Sequence, residues 1–361
     1  MKYSIVIPVY NRPDEADELL ASLVKQTLKD FEVVIVEDGS AKPCKEVVDK
    51  YADVLDVKYF VKENGGPGPA RNYGVEMAQG EYVLILDSDC VIPEGYLKAI
   101  EDELDANPCD AFGGPDAAHP DFTPIQKAIS YSMTSFFTTG GIRGGKKKGA
   151  MDKFYPRSFN MGMKRSVYNA LGGFTKMRFG EDIDFSYRIV ESGYSSRLFA
   201  DAWVWHKRRT DFGKFFKQVF NSGIARINLE KRHPGTMKIV HMLPMVFTVG
   251  VLFLALLFLC GISMCILPPF LSDMGVGGDV HMTQSVGVML CFIALTPILL
   301  YSALILIGST VQNKSLWVGI LSVPAAFVQL MGYGFGFLKA WWLRIVLGKS
   351  EFAAFEKNFY D

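Results

Sequence analysis

The sequence predicts an α/β domain built on a mostly parallel sheet, followed by C-terminal transmembrane helices. Two observations carry this. Between Ser4 and Leu86, short uninterrupted apolar runs alternate with stretches of helical periodicity, the rhythm of parallel strands joined by crossover helices. From Ile239 to Ser272, Val280 to Asn313 and Ser315 to Leu338 there is no Lys, Arg, Asp or Glu. Each of these stretches exceeds the roughly 20 residues that cross a bilayer core of about 30 Å.

The first strand is Ser4–Val9, where Ile5, Val6, Ile7 and Val9 leave neither face polar, as in a strand covered on both sides. Pro13 opens a helix with Asp14 and Glu15 in its first turn and Ala16, Leu19, Leu20 and Leu23 on one stripe. A second buried strand, Phe31–Val36, stops at Asp38-Gly39-Ser40. Pro43–Tyr51 reads as a helix, Val57–Val61 as a strand, Pro69–Ala78 as a helix and Glu81–Leu86 as a strand ending at Asp87. Ligands of such sheets bind beyond the carboxyl ends of the strands. Polar residues gather at those ends: Tyr10-Asn11, Glu37-Asp38, Asn64 and Asp87-Ser88-Asp89.

Lys+Arg 38 against Asp+Glu 38 gives a formal charge of zero, but the charge is unevenly spread. Residues 1–202 are acidic, 203–238 form a basic collar, and the remainder is nearly uncharged. A nucleic-acid binder would carry its basic face on the globular domain; a collar beside apolar helices instead points to a membrane surface. The expected organisation is an α/β domain over 1–210 and an amphipathic interfacial collar over 211–238. A transmembrane region over 239–338 follows, with segments 239–267, 283–309 and 316–338, and then a basic aromatic tail over 339–361. In the collar, Phe212, Phe215, Phe216, Val219, Phe220 and Ile224 fall near helical spacing among Lys214, Lys217 and Arg226, the pattern of an interfacial helix or of one packed on the α/β domain.

With the collar inside, three crossings place the Pro268–His281 loop outside, in keeping with the positive-inside rule. The same count puts the tail outside although it carries Lys339, Arg344, Lys349 and Lys357. Either one apolar segment is re-entrant or interfacial, or the tail lies along the bilayer on Trp341 and Trp342. The six cysteines form no CxxC pair, so neither a disulfide framework nor a zinc site is expected. The N-terminus lacks a cleavable signal pattern, which keeps the N-terminal domain in the cytoplasm.

Asp87-Ser88-Asp89 follows a strand, and residues i and i+2 of an extended chain share a face. Two hard oxygen ligands there suit a divalent cation that keeps water and meets diphosphate oxygens. A solvated turn would give the same tripeptide; its place at the mouth of a parallel sheet favours the cation. Gly65-Gly66-Pro67-Gly68-Pro69-Ala70-Arg71-Asn72 lacks the Gly-Lys-Ser/Thr of a phosphate loop and the third glycine of a dinucleotide fingerprint. What remains is a turn feeding a helix whose dipole and Arg71 suit a diphosphate.

Read together, Ile5–Arg12 (IVIPVYNR), Val36–Ser40 (VEDGS), Gly66–Gly74 (GPGPARNYG), Val83–Asp89 (VLILDSD), Leu171–Phe174 (LGGF) and Gly180–Asp184 (GEDID) resemble, in order and spacing, the family 2 glycosyltransferases. The resemblance covers roughly residues 1–210. It implies a GT-A fold, a nucleotide-sugar donor and a divalent cation, Mg²⁺ or Mn²⁺. It further implies that Pro8, Tyr10, Glu37 and Asp38 hold the base and ribose, Glu37 departing from the usual Asp. Arg71, Asp87 and Ser88 would meet the donor side, and Asp89, with Asp87, would hold the cation. His206 resembles a histidine that completes the metal site in some members. Asp182 matches the base of an inverting transfer, which takes the acceptor proton on the side away from the leaving diphosphate. Glu181 shapes the acceptor site, and Gly172, Gly173 and Phe174 floor it.

Members that glycosylate a polyprenyl phosphate need no carboxylate base, so Asp182 favours a sugar hydroxyl. The membrane segments place that sugar on a lipid carrier. The expected protein is an integral enzyme of the inner or plasma membrane in cell-surface polysaccharide or glycolipid synthesis. A polyprenyl-phosphate glycosyltransferase is the closest alternative, and a non-catalytic nucleotide-sugar-binding membrane protein a weaker one. A transporter would carry charged residues inside the apolar segments, and a processive synthase a Gln-x-x-Arg-Trp motif; neither is present. The glycine-rich loop 140–149, with Arg143 and Lys146-Lys147-Lys148, reads either as a loop that folds over diphosphate or as a solvated one.

Overall fold

The computed structural model describes residues 1–140, 153–273 and 279–355. The lysine-rich part of loop 140–149 therefore lies outside the described residues.

The chain opens with β1 (Tyr3–Val9), α1 (Pro13–Val24), β2 (Phe31–Asp38), α2 (Lys45–Asp49), β3 (Val57–Lys62), α3 (Pro67–Met77) and β4 (Tyr82–Ile85). The apolar runs do form strands, and β3, β2, β1 and β4 lie side by side and parallel. Because β1 pairs with both β2 and β4, the chain leaves those three strands at one rim, where Tyr10, Asp38 and Asp87 emerge. β5 (Cys90–Val91), α4 (Tyr96–Ala106), β6 (Ala111–Gly113), β7 (Asp116–Ala117), α5 (Pro124–Thr134) and α6 (Phe136–Thr139) follow. Next come β8 (Met161–Lys164), α7 (Arg165–Leu171), α8 (Glu181–Glu191), β9 (Ser196–Leu198) and β10 (Val204–His206). β8 runs antiparallel between β4 and β6, and β9 closes the seven-stranded sheet. A second sheet of β5, β10 and β7 stands at the rim.

Alternate residues of the central strands feed two cores. Ile5, Ile7, Val33, Ile35 and Leu84 pack with Leu19, Leu20 and Leu23 of α1 and with Leu97 and Ile100 of α4. Val6, Val34, Val36, Val83 and Ile85 pack with Ala70 and Val75 of α3 and Phe185 and Ile189 of α8. Each fully buried large side chain contributes about 1.5–3 kcal/mol, so both faces hold the rim rigid. α3 and α8 each begin at a glycine with positive φ, Gly66 (89°) and Gly180 (85°), a conformation glycine adopts without a Cβ penalty. Those two turns aim the first residues of both helices at the rim.

The second half is helical: α9 (Phe212–Arg232), α10 (Ile239–Asp273), α11 (Val280–Asn313), α12 (Leu316–Trp341), a π-turn at Trp342–Val346 and α13 (Glu351–Phe355). The helix anticipated over 212–227 runs on to Arg232, and α10 continues past Pro268 into the anticipated loop, as far as Asp273. Three helices, over Ile239–Pro268, Val280–Asn313 and Leu316–Val346, are long and apolar enough to cross a membrane. α10 and α11 form an antiparallel hairpin in which Gly261 sits against Gly287 O and Gln284 Nε2 donates to Cys265 O (3.1 Å). Most of the apolar stripe of α9 is covered, though Phe216 stays exposed: Phe215 and Val219 pack with Ile129 and Met133 of α5 and with Val328 of α12, and Ile224 and Ile227 pack with Phe337 and Ala340. A Cβ on Gly336 would run into Phe220 O, and one on Gly223 into Tyr333 O. The α9–α12 seam is thus a backbone-to-backbone contact.

Candidate active site

Arg71 is the centre of the rim. It stands in the second turn of α3, 3% exposed, with its guanidinium 5.3 Å from the centre of the Phe174 ring. Its Nη2 donates to Asp87 Oδ1 (2.8 Å) and its Nη1 to Glu181 Oε1 (2.9 Å), a residue 110 positions away. One planar fork therefore ties the end of β4 to the start of α8, and its Nε is a buried donor with no hydrogen-bond partner among the described residues. Ser158 adds a second tie, with its hydroxyl 3.4 Å from Asp87 Oδ2 and its backbone N–H on the Asp182 carboxylate. Asp182 and the Asp87–Asp89 segment thus lie at one site.

Asp182 Oδ2 also accepts from Arg157 Nε (2.7 Å). Burial alone would raise the Asp182 carboxyl, but Arg157, then Arg71 and the Ser158 N–H, outweigh it and hold the group below its ordinary value. Its neighbour goes the other way: burial, reinforced by the Asp182 charge, pushes Glu181 up against the pull of Arg71. Asp184 serves the framework. It accepts from Thr175 Oγ1 (2.8 Å) and Arg188 Nε (3.1 Å) and lies 3.1 Å from His233 Nε2, bolting α8 to the end of α9.

β4 ends at Ile85, so Asp87 and Asp89 leave a turn rather than a continued strand, and the shared-face argument does not hold for them. Asp87 goes to Arg71. Asp89, 7% exposed, accepts from Arg12 Nη1 (3.0 Å) through Oδ2. Its Oδ1 is buried without a hydrogen-bond partner among the described residues, 3.2 Å from His206 Nε2. Burial opposes ionisation of Asp89, yet His206 and Arg12 hold it well below the usual carboxylate range. Cis ligands of an octahedral cation bound at 2.0–2.1 Å stand about 3 Å apart, so the spare oxygen and the ring nitrogen are spaced as a ligand pair. Cys90 Sγ completes a compact group with them, but burial pushes its thiol far up and it donates to Phe159 O (3.4 Å). A neutral thiol is a poor ligand for Mg²⁺ or Mn²⁺. Asp89 and His206 fit a hard divalent cation.

The remaining anticipated residues divide. Tyr10 is 50% exposed at the rim and Pro8 is half-buried beside it. Asp38 accepts from the backbone N–H of Gly65 (3.0 Å) and Gly66 (2.8 Å) and from Lys62 Nζ (2.6 Å), fixing the turn into α3. Glu37 points to the opposite face, accepting from Ser40 Oγ, Cys44 N (2.7 Å) and Tyr59 Oη (3.2 Å). Ser88 is buried between the two aspartates. Gly172 and Gly173 both take positive φ to end α7. Phe174 is 4% exposed, its backbone clamped by Asn72 (2.8 and 2.9 Å), and it supports Arg71 from below. Sequence reading missed Arg12, Arg157 and Ser158. Arg12 stood within a quoted motif, whereas Arg157 and Ser158 carried no signal of periodicity or spacing.

Residues 4–172 match the model of glycosyl transferase family 2. The chain is 25% identical over 231 residues to the glycosyltransferase AglE of Haloferax volcanii, covering 63% of this chain and 73% of AglE. Over 102 residues it is 42% identical to TarS, the poly(ribitol-phosphate) beta-N-acetylglucosaminyltransferase of Staphylococcus aureus, covering 27% of this chain and 18% of TarS. It spans only 15% of the length of other curated relatives, two uncharacterized glycosyltransferases of Rickettsia. Among solved structures, the mannosyltransferase PcManGT of Pyrobaculum calidifontis, in complex with GDP-Man and Mn²⁺, superposes with a TM-score of 0.54 at 16% identity, covering 95% of this chain and 88% of that one. With those matches set beside the parallel sheet and its acidic rim, residues 4–172 carry a glycosyl transferase family 2 domain and the N-terminal part has the GT-A fold.

Proposed function

We propose that the protein is a membrane-bound, metal-dependent, inverting glycosyltransferase that moves a sugar from a nucleotide-sugar donor to a hydroxyl of a lipid-linked saccharide, with its catalytic domain, residues 1–210, on the cytoplasmic face. The observation that carries this is the Arg71 fork, which joins the donor-side Asp87 to the acceptor-side Glu181. Support for the donor comes from PcManGT, solved with GDP-Man and Mn²⁺. Support for the membrane comes from the three long apolar helices.

In this reading the base and ribose lie at the β1–β2 rim by Pro8, Tyr10 and Asp38, while Glu37, turned to the opposite face and held by Ser40, Cys44 and Tyr59, is not the contact that the resemblance implied. Arg71, through its Nε donor, and the α3 N-terminus receive the diphosphate beside Asp87 and Ser88 while the fork to Asp87 and Glu181 is kept. Asp89 and His206, with Asp87 nearby, would hold the cation, which when bound neutralises charge on the departing diphosphate. Asp182, ionised and held by Arg157 and Ser158, takes the proton from the attacking hydroxyl. Glu181, Gly172, Gly173 and Phe174 set the acceptor side.

The test uses detergent-purified protein with UDP-, GDP- and dTDP-sugars, with and without Mg²⁺ or Mn²⁺, and a lipid-linked saccharide. Cation-dependent transfer with inverted anomeric configuration is expected, and Asp182→Asn should abolish transfer while keeping donor binding. Transfer undiminished in Asp182→Asn would sink the base assignment. One observation favours a second reading: Arg157, its side chain 36% exposed, sets a cation beside Asp182, where a phosphate acceptor would sit. Efficient glycosylation of bare polyprenyl phosphate would establish that reading instead.

A further inference from the structure

We infer that α12 does not cross the membrane: α10 and α11 form the only crossing pair among the described helices, and α12 lies along the catalytic side of the bilayer with its outer face against lipid. The inference rests on the membrane reading of α10 and α11.

The argument follows the chain. α10 departs from the catalytic side, since His233, six residues before it, bonds to Asp184 and Glu191 of α8. α11 returns there. Its Ile305 is buried against Tyr131 of α5, Gly308 abuts the Tyr131 hydroxyl, and Tyr301 Oη reaches Phe137 O of α6 (3.4 Å). At 35 and 34 residues, and 1.5 Å per residue, each arm is roughly 50 Å long, ample for a core of about 30 Å. A sharp turn follows, with Lys314 at φ 50° and the Ser315 hydroxyl accepting from Val318 N.

α12 then keeps contact with catalytic-side helices along its length. Its start packs on α5, with Val318 and Ala325 against Ala128. Its later turns follow α9 in parallel: Gly332 meets Val219, Gly336 meets Phe220, and beyond the helix Arg344 O accepts from Lys231 Nζ (3.2 Å). α9 cannot lie in hydrocarbon, for it exposes Lys214 and Lys217, and charges at the bilayer centre are costly. Both its ends are tied to the catalytic domain, through Arg208–Asp116 (2.6 Å) just before it and His233–Asp184 just after it. A helix laid parallel along α9 shares its depth. In the apolar part of segment Leu316–Val346, 39% is buried within the protein, against 11% in Ile239–Pro268 and in Val280–Asn313. After α12 the chain is still on this side: Glu351 of α13 pairs with Arg232 (3.2 Å), and Phe355 is buried with Ile224 and Ile227. A helix with both ends on one side has not crossed.

The face of α12 turned from α9 and α5 exposes Leu316, Trp317 and Ile320, continued beyond its end by Trp342 and Ile345, residues suited to the boundary between headgroups and acyl chains. Lys339, Arg344 and Lys349 then fall on the cytoplasmic side, which removes the conflict between the tail's charge and the positive-inside rule.

The test is labelling of single added cysteines by a membrane-impermeant maleimide in intact and permeabilised cells, with the wild-type chain as baseline. Lys25→Cys reports the catalytic domain, His281→Cys the far end of the hairpin and Lys349→Cys the tail, all at exposed positions. The expected result is labelling of His281→Cys in intact cells, and of Lys25→Cys and Lys349→Cys only after permeabilisation. Protease protection of a C-terminal epitope tag, on the otherwise unaltered chain, should agree. If Lys349→Cys labels in intact cells with His281→Cys, α12 crosses and the inference is wrong while the membrane-enzyme reading stands. Release of the protein by alkaline carbonate overturns the membrane reading, and this inference with it.

Discussion

Replacing Arg71 by lysine separates charge from geometry. The guanidinium makes two charge-assisted bonds from different nitrogens, to Asp87 (2.8 Å) and Glu181 (2.9 Å), and stacks over Phe174. An ammonium at the end of a shorter, non-planar group keeps the positive charge but satisfies one of the two carboxylates. Losing one such bond costs about 1.5–3 kcal/mol, which at about 1.4 kcal/mol per decade is roughly 10–150-fold in kcat/KM. Glu181, 7% exposed, would also lose its cation, so the thermal transition should fall. The assay is steady-state transfer with saturating acceptor, with donor affinity measured separately by calorimetry. Donor affinity should fall less than kcat/KM, because the fork also sets the distance between the two halves of the site. A variant within about threefold of wild type in both quantities would show that Arg71 supplies charge alone and that the bridge is incidental.

Three further expectations concern other parts of the molecule. Arg157→Gln removes a cation that holds Asp182 below its ordinary value; a depressed carboxylate stays ionised to lower pH, so the acid limb of kcat/KM should move upward in the variant, and an unmoved limb would exclude Asp182 as the titrating base. Asp89→Asn removes the negative charge and His206→Gln the ring nitrogen of the 3.2 Å pair, and Mn²⁺ affinity read by titration should fall by more than the roughly 10–100-fold typical of losing an outer-shell partner; unchanged affinity would place the cation elsewhere. Gly336→Ala drives a methyl into Phe220 O, and overpacking of this kind costs about 1–3 kcal/mol, so the variant should unfold at lower temperature in detergent, while Gly348→Ala, with no described residue within 4 Å of its Cβ but a φ of 63°, serves as the backbone-strain comparison.

The central sheet was legible because its strands are covered on both faces, so Ile5–Val9 and Val33–Val36 read as unbroken apolar runs. The positions of Arg71, Asp89, Glu181 and Asp182 were legible through short motifs whose residues meet at one rim. The connections among them were not. Arg157 and Ser158 reach Asp182 and Asp87 by tertiary folding, from a segment with neither periodicity nor a recognisable spacing. Extending strand geometry to Asp87 and Asp89 failed because β4 stops at Ile85 and the chain turns. Glu37 and Asp38, adjacent in sequence, alternate to opposite faces of β2, so only Asp38 meets the α3 turn. The number of crossings was illegible for a different reason. Hydropathy counts carbon, and a helix resting on α9 with lipid on its other side is as rich in carbon as one that spans.

The glycine seam between α9 and α12 has a practical consequence. Cutting the chain near Lys238 would strip the cover from Val219, Ile224 and Ile227 while leaving the catalytic motifs complete in sequence. The catalytic half is therefore not an excisable module: expressed alone it should aggregate, and kinetic work calls for full-length protein held in nanodiscs or mild micelles.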